Sequence, residues 1–247
     1  KLGLPSLESA VGRVDLLERI DAEGDKLKRI DLSPLLHDDD LLRSKPQTCA
    51  VTRNPPYDKA ELANKILSDM LPAIEEKVGG RYEYTVTNQD RSIGGMLSGE
   101  IAERYGNAGM SDRPIQLKLN GVAGQSLGVF NAAGLVIELE GDANDYAGKG
   151  MSGGTISIYP PQGGRYEAKK ASIVGNTCLY GATGGEFFAA GQAGERFGVR
   201  NSGATAVIEG SGDHCCEYMT GGQVVVLGDT GYNFGAGMTG GVAFVLD

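Results

Sequence analysis

Gly148-Lys149-Gly150-Met151-Ser152-Gly153-Gly154 admits two readings, and the choice between them decides the fold. Read as Gly-x-Gly-x-x-Gly, it is a dinucleotide fingerprint, whose chemistry requires a strand before it and a helix after it, because the helix N-terminus holds the pyrophosphate. The next residues are Thr155-Ile156-Ser157-Ile158-Tyr159, a β-branched alternating run that reads as a strand. The helix start whose amides would cradle a phosphate is missing. The glycines need another explanation.

The phrase recurs. Met-Ser-Gly-Gly at 151–154 is matched by Ala-Thr-Gly-Gly at 182–185 and by Met-Thr-Gly-Gly at 219–222 and 238–241, each followed at once by a β-type run. Asn-Ala-Ala-Gly at 131–134 and Asn-Ser-Gly-Ala at 201–204 are looser relatives. Alternating apolar pairs align as Leu117/Leu119, Ile137/Leu139, Ile156/Ile158, Phe187/Ala189, Thr205/Val207, Val224/Val226 and Ala243/Val245, at spacings of 20, 19, 31, 18, 19 and 19 residues. An insertion containing Pro160-Pro161-Gln162-Gly163-Gly164 accounts for the long interval.

A strand recurring at that period, with glycine corners and too little chain between copies for a crossover helix, predicts a parallel β-solenoid of one strand per coil and about seven coils. No coil can bury its apolar side alone, so stacking makes the core. The expected corner glycines are Gly148, Gly150, Gly153, Gly154, Gly184, Gly185, Gly221, Gly222, Gly235, Gly237, Gly240 and Gly241. There they take left-handed backbone angles and leave no side chain to collide with the next coil.

Composition agrees with a glycine-governed architecture. The 247 residues include 39 glycines, about twice the usual share, and can bury a sizeable core. A net charge of −9 without a basic stripe argues against nucleic acid and anionic membrane surfaces as partners. No apolar run reaches the length of a membrane span. Cys49, Cys178, Cys215 and Cys216 show no C-x-x-C spacing and fit free thiols in a reducing cytoplasm. Lys at position 1 and the strand-like ending Phe244-Val245-Leu246-Asp247 read as a piece of something larger.

Upstream of the repeats, residues 1–57 read as a charged, partly helical lead-in, and 58–112 as an α-β-α prelude to a β-helix over 113–247. Asp58 and Glu61 have capping-box spacing, Leu62, Ile66, Leu67, Met70 and Ile74 form one apolar face, and Pro72 threatens a kink. Arg81 to Val86 alternates like a strand, and Asp90 is placed to cap a second helix carrying Ile93, Leu97, Ile101 and Tyr105, closed by Gly106.

Candidate chemistry is sparse. His214-Cys215-Cys216 raises a metal site, but adjacent cysteines do not both bind one tetrahedral ion comfortably and no second cluster supplies ligands, so buried thiols beside an exposed imidazole are expected. Neither His214 nor His37 forms a recognisable dyad with a cysteine. Solenoids can carry sugar-cleaving carboxylate pairs, and Asp142, Asp213 and Asp229 follow glycines, with Glu138, Glu140 and Glu209 nearby. These aspartates keep no common register, and turn formation, with the carboxylate bonded to amides two residues on, explains them better. No catalytic, cofactor or metal residue is assigned.

The pattern Gly-x-Gly-Met-(Ser/Thr)-Gly-Gly, the stretch Ala123 to Gly128, Asn88-Gln89-Asp90-Arg91 and Gly12 to Leu17 together resemble the C-terminal GXGXG domain of the glutamate synthase large subunit. The glycine-rich solenoid subunit of formylmethanofuran dehydrogenase is a more distant likeness. The resemblance implies a right-handed β-helix without an active site of its own. It also implies neighbouring domains in the same large subunit: an amidotransferase releasing ammonia from glutamine, and a synthase with FMN and an iron-sulfur cluster that adds it to 2-oxoglutarate. An NAD(P)H-dependent small subunit or ferredoxin would supply electrons. The expected role is a rigid spacer; the rivals are a β-helical polysaccharide hydrolase or lyase and a nucleotide-binding domain on residues 148–153.

Overall fold

The structure, a computed structural model, describes residues 2–20, 24–49, 51, 53, 60–163 and 167–246. The chain divides into two compact units, residues 1–59 and 60–247. In the first, helical turns at Glu8–Ala10 and Val14–Leu16 and two short helices, α1 (Asp25–Lys28) and α2 (Asp40–Arg43), alternate with irregular chain. Local polar contacts organise it: Asp39 caps α2 by accepting from the Leu42 N–H at 2.7 Å, and Arg13 forks onto Asp15 at 2.7 and 2.8 Å.

The second unit opens with α3 (Glu61–Glu75), β1 (Gly80–Val86) and α4 (Gly95–Tyr105). Strands β2 (Ile115–Ala123), β3 (Leu135–Ala143), β4 (Ser152–Tyr159), β5 (Ser172–Val174), β6 (Gly184–Ala193), β7 (Ser202–Ser211), β8 (Thr220–Val226) and β9 (Gly240–Val245) come next. All belong to one sheet in the order β1-β2-β3-β4-β6-β7-β8-β9, with β5 beside β3 and β6. Every pairing is parallel. The strands form a mainly β solenoid of about six turns. Seven aligned strands enclose six intervals, so the expectation of about seven coils counts strands rather than turns.

Register decides which side chains meet. Leu117, Ile137, Ile156, Phe187, Ala206, Val224 and Ala243 are successive partners from β2 to β9. The first six are fully buried. Full burial of an Ile, Leu, Val or Phe side chain contributes about 1.5–3 kcal/mol, so such a column is the main source of cohesion between coils. Large and small residues alternate where space is short: Phe187 packs edge-on against Phe197, with ring centroids 5.6 Å apart, and is followed by Ala206.

One alignment is corrected. Thr205 and Val207 pair with Glu186 and Phe188 and face outward, whereas Ala204, Ala206 and Ile208 point inward and are buried. The side-chain period of a strand is two, so a one-residue error inverts the face. Alanine, apolar but small, hid the true inward row. The insertion between β4 and β6 likewise has a structural logic: β4 stops at Tyr159, and β5 rejoins the stack where Val174 pairs with Ala143 and Ala193. Gly164 lies outside the described residues.

At the N-terminal side, Ile66, Met70 and Ile74 of α3 and Leu97 and Ile101 of α4 join the same buried cluster as the first strands. Asp58 lies outside the described residues; Ala60, left-handed at φ 50°, precedes α3 without a side-chain cap. Pro72 does not end the helix, which runs on to Glu75. The expected Asp90 cap is corrected. The Asp90 carboxylate accepts from the Thr87 N–H and hydroxyl at 2.8 and 2.9 Å, closing the turn after β1, and α4 starts at Gly95. Gly106, at φ 56°, follows its last residue. β1 is itself hydrogen-bonded to β2 from Gly80 to Val86, so the strand of the α-β-α segment extends the stack.

Close approach of backbones is sharpest at Gly141, which pairs with Gly121 at φ 151°. A Cβ there would fall far inside van der Waals contact with the Gly121 carbonyl oxygen. Gly141→Ala should therefore destabilise the second unit by at least about 2 kcal/mol, lowering the thermal midpoint by roughly 4 °C or more, as followed by circular dichroism.

Candidate functional site

The side of each coil opposite its strand is built from alternating left-handed residues. Positive φ recurs at Ser126/Gly128/Phe130, Tyr146/Gly148/Gly150, Thr177/Leu179/Gly181, Arg196/Gly198/Arg200, His214/Cys216/Tyr218 and Asn233/Gly235/Gly237. This is the Gly-x-Gly-x-Gly rhythm, and eleven of its eighteen positions are not glycine. A non-glycine residue there costs on the order of 1 kcal/mol.

Hydrogen bonds between coils hold that conformation. Thr177 donates its N–H to Glu195 O at 2.7 Å in the next coil, Leu179 to Ala147 O at 2.8 Å in the preceding one, and Gly181 to Val199 O at 2.9 Å in the next. Arg196, Gly198 and Arg200 repeat the pattern onto Asp213, Cys178 and Glu217. A second ladder reinforces it from side chains: Asp145 accepts from the Asn176 N–H at 2.7 Å, Asn176 from Glu195 at 2.8 Å, and Asp213 from Tyr232 at 2.7 Å. Asp213 thus bonds an amide one coil away, not two residues on. Two fully buried asparagines, Asn131 and Asn201, tie the turns into the following strands. Asn201 accepts from the Gly203 and Ala204 amides and donates to Ala204 O, and Asn131 donates to Leu135 O and Gly153 O.

These bonds bear on the loop at 148–154. Its amides at Gly148, Gly150, Ser152 and Gly153 already bond to Leu127 O, Tyr180 O and Asn131 O, and β4 begins at Ser152. They are not free to bind phosphate. Among the expected corner glycines, Gly148, Gly150, Gly154, Gly185, Gly222, Gly235, Gly237 and Gly241 have φ between 65° and 92°. Gly153, Gly184, Gly221 and Gly240 do not, but a Cβ on any of them would crowd the backbone of the preceding coil.

The cysteines are interior packing groups, except Cys49, which is exposed. Burial pushes the Cys178 thiol up to about 12. The Sγ atoms of Cys215 and Cys216 lie 3.7 Å apart in the core, and their mutual hydrogen bond and burial hold Cys216 protonated well above the usual thiol range. His214 is not the exposed imidazole expected: it is partly covered, with Nδ1 3.5 Å from Glu217 Oε1. His37 lies beside Asp39 at 3.1 Å. Among the described residues no group of three or more His, Cys, Asp or Glu could hold a metal ion. No described helix is long and apolar enough to cross a membrane.

Of the other carboxylates, Asp142 is exposed on β3, opposite Val122, and partial desolvation of its carboxyl raises its pKa. Glu138 and Glu140 approach Arg81 and Lys118 at 3.9 Å. A groove of about 320 Å³ on the outer sheet face, between Tyr159, Phe188 and Leu227, includes Glu209 as its one carboxylate among the lining residues. Paired acid–base work needs two.

A second cavity, of about 430 Å³, opens on the left-handed side and is lined by Tyr146, Lys149, Tyr180, Arg196, Arg200 and Tyr218, with Glu217 also in its lining. It is cationic and aromatic on a chain of net charge −9. Composition did not reveal it, because its members come from four coils. No local sequence signal marks them, because four of these residues, Tyr146, Arg196, Arg200 and Tyr218, sit at left-handed positions that neighbouring coils impose.

Comparison with known proteins places these features. A family described as "GXGXG motif" matches residues 61–247. The NADH glutamate synthase of Schizosaccharomyces pombe is 47% identical over the whole chain, which covers 12% of that relative. The large chain of the NADPH glutamate synthase of Azospirillum brasilense is 46% identical over 88% of this chain and 14% of its own length. The chloroplastic ferredoxin-dependent glutamate synthase of Spinacia oleracea is 44% identical over the whole chain and 15% of its own length.

The packing makes two measurements decisive. A thiol reagent at pH 8 should titrate only Cys49 in the native chain and all four cysteines after denaturation. Gly150→Val would drive its Cβ to 2.7 Å from the Phe130 ring at φ 65°, so calorimetry should show a lowered midpoint while titration of the parent chain with NAD gives no saturable heat.

Proposed function

The chain belongs to the GXGXG-motif family, as a glutamate synthase domain, and on that premise we propose that it is a non-catalytic spacer holding an amidotransferase and a synthase domain at fixed separation. Glutamine would yield ammonia at one and 2-oxoglutarate would receive it at the other, where FMN and an iron-sulfur cluster carry the electrons. The observation that carries this reading is the consumption of the motif's amides in bonds between coils: the glycines serve rigidity and leave no cradle for a cofactor.

Two further observations support it. The chain spans only 12–16% of the length of the curated relatives it matches, as a module within a larger chain would. Identity is similar to relatives named for NADH, NADPH and ferredoxin, which suits a segment that does not contact the electron donor. Rigid support matters because ammonia in transit is lost if the two sites separate, and a scaffold without backbone play preserves their geometry.

The test is to coexpress the chain with the remaining large-subunit domains of such an enzyme and compare parent with Gly141→Ala. Every glutamine hydrolysed releases one glutamate directly, and a second forms only when the ammonia reaches 2-oxoglutarate. The variant should release ammonia into solution and lose the second glutamate while glutaminase activity persists. Unchanged coupling in an assembly whose solenoid has demonstrably loosened would refute the spacer role.

A further inference from the structure

The cationic cavity on the left-handed side is a site to which the spacer reading by itself assigns nothing. Its floor is the alternating ladder, which turns residues at the first and third left-handed positions of each coil outward while the middle one faces the core. Arg196 and Arg200 are the outward pair of one coil and are exposed. Neither guanidinium has a side-chain partner among the described residues. Lys149, from an earlier coil, stands over the Tyr146 ring at 5.3 Å. The other wall is aromatic: Tyr218 and Tyr146 remain 54% and 37% exposed, and Phe130, on the same side, 63%.

Two of these rings, Tyr218 and Phe130, are held in place. A Cβ on Gly237 would come within 2.5 Å of the Tyr218 ring, and one on Gly150 within 2.7 Å of Phe130, so each ring rests on the glycine of the following coil. Exposed aromatics so immobilised lose little entropy on binding, and with arginine they are the side chains that dominate protein interfaces. Arginine forks match carboxylates two hydrogen bonds at a time. The lining residues come from four successive coils, about 14 Å along the stack at the strand spacing, room for roughly four extended residues.

We infer that this cavity is a docking seat for an acidic polypeptide segment, whose carboxylates engage Arg196 and Arg200 while its apolar side chains lie on Tyr146, Tyr180 and Tyr218. Charge complementarity selects the occupant: the chain as a whole is acidic, yet the cavity's lining presents three cations against the single carboxylate of Glu217, which is turned toward His214. A bare anion would leave the tyrosines exposed, and a basic segment would meet the arginines. The inference deepens the spacer reading by naming a surface that another domain would grip.

The experiment uses the 247-residue chain and a fluorescein-labelled peptide of alternating Glu and Leu, read by anisotropy at physiological ionic strength, where the Debye length of about 8 Å screens the acidic body. Saturable binding should weaken at least tenfold in Arg196→Gly/Arg200→Gly and remain unchanged in Lys169→Ala. Glycine suits both left-handed positions, so the double variant should melt no lower than the parent. Arg196→Gln/Arg200→Gln, which retains side chains there, should lose binding equally. No binding by the parent, binding that survives both double variants, or displacement of the peptide by inorganic phosphate or glutarate at matched concentration would each overturn the docking seat. None of these outcomes touches the spacer role, which is read from ammonia retention.

Discussion

The spacing between one coil and the next is imposed by backbone hydrogen bonds on two sides of the solenoid at once. On one side run the parallel strand pairings from β1 to β9; on the other, the amides of the left-handed residues bond alternately to the coil above and the coil below. Either set alone would leave the coil free to hinge about it. Together they fix a common repeat, and everything that sits between coils must fit within it. Gly141 against Gly121, and Phe187 followed by Ala206, are local solutions to that one constraint.

The same constraint explains why the motif is chemically quiet. An amide that reaches a carbonyl in the neighbouring coil is not available to a phosphate, and Asp213, which in sequence looks like a turn residue, is engaged with backbone one coil away, as is Asn176. Three of the four thiols lie inside the stack, where burial keeps Cys178 protonated. Asp213, Asn176, Cys178, Cys215 and Cys216 are thus absorbed into holding the coils together. What remains for function is the shape of the body and the side chains directed away from it.

Those outward side chains carry the chain's individuality. The ladder turns its first and third left-handed residues outward, and successive coils bring Tyr146, Lys149, Arg196 and Tyr218 side by side although up to 72 residues separate them in the chain. A rigid wall with a cationic, aromatic seat suits the spacer role proposed for a module that spans only a small part of its relatives' length.

Much of the architecture was legible in the residues alone. The recurrence of Gly-Gly before alternating β-branched runs, at intervals too short for a crossover helix, determines a stack of parallel strands, and the inward column from Leu117 to Val224 follows wherever the inward residues are large. Where they are small, as at Ala204 and Ala206, the pattern is ambiguous by one residue and only pairing with β6 resolves the face. The caps were harder to read for a similar reason: Asp90 has the right chemistry to start a helix, but its carboxylate closes a turn that the strand pairing creates. The left-handed ladder and the cavity above it belong to tertiary structure alone. Arg196, Cys216 and Tyr218 carry no local signal for positive φ, and they adopt it because hydrogen bonds to neighbouring coils outweigh a backbone preference that sequence can express only through glycine.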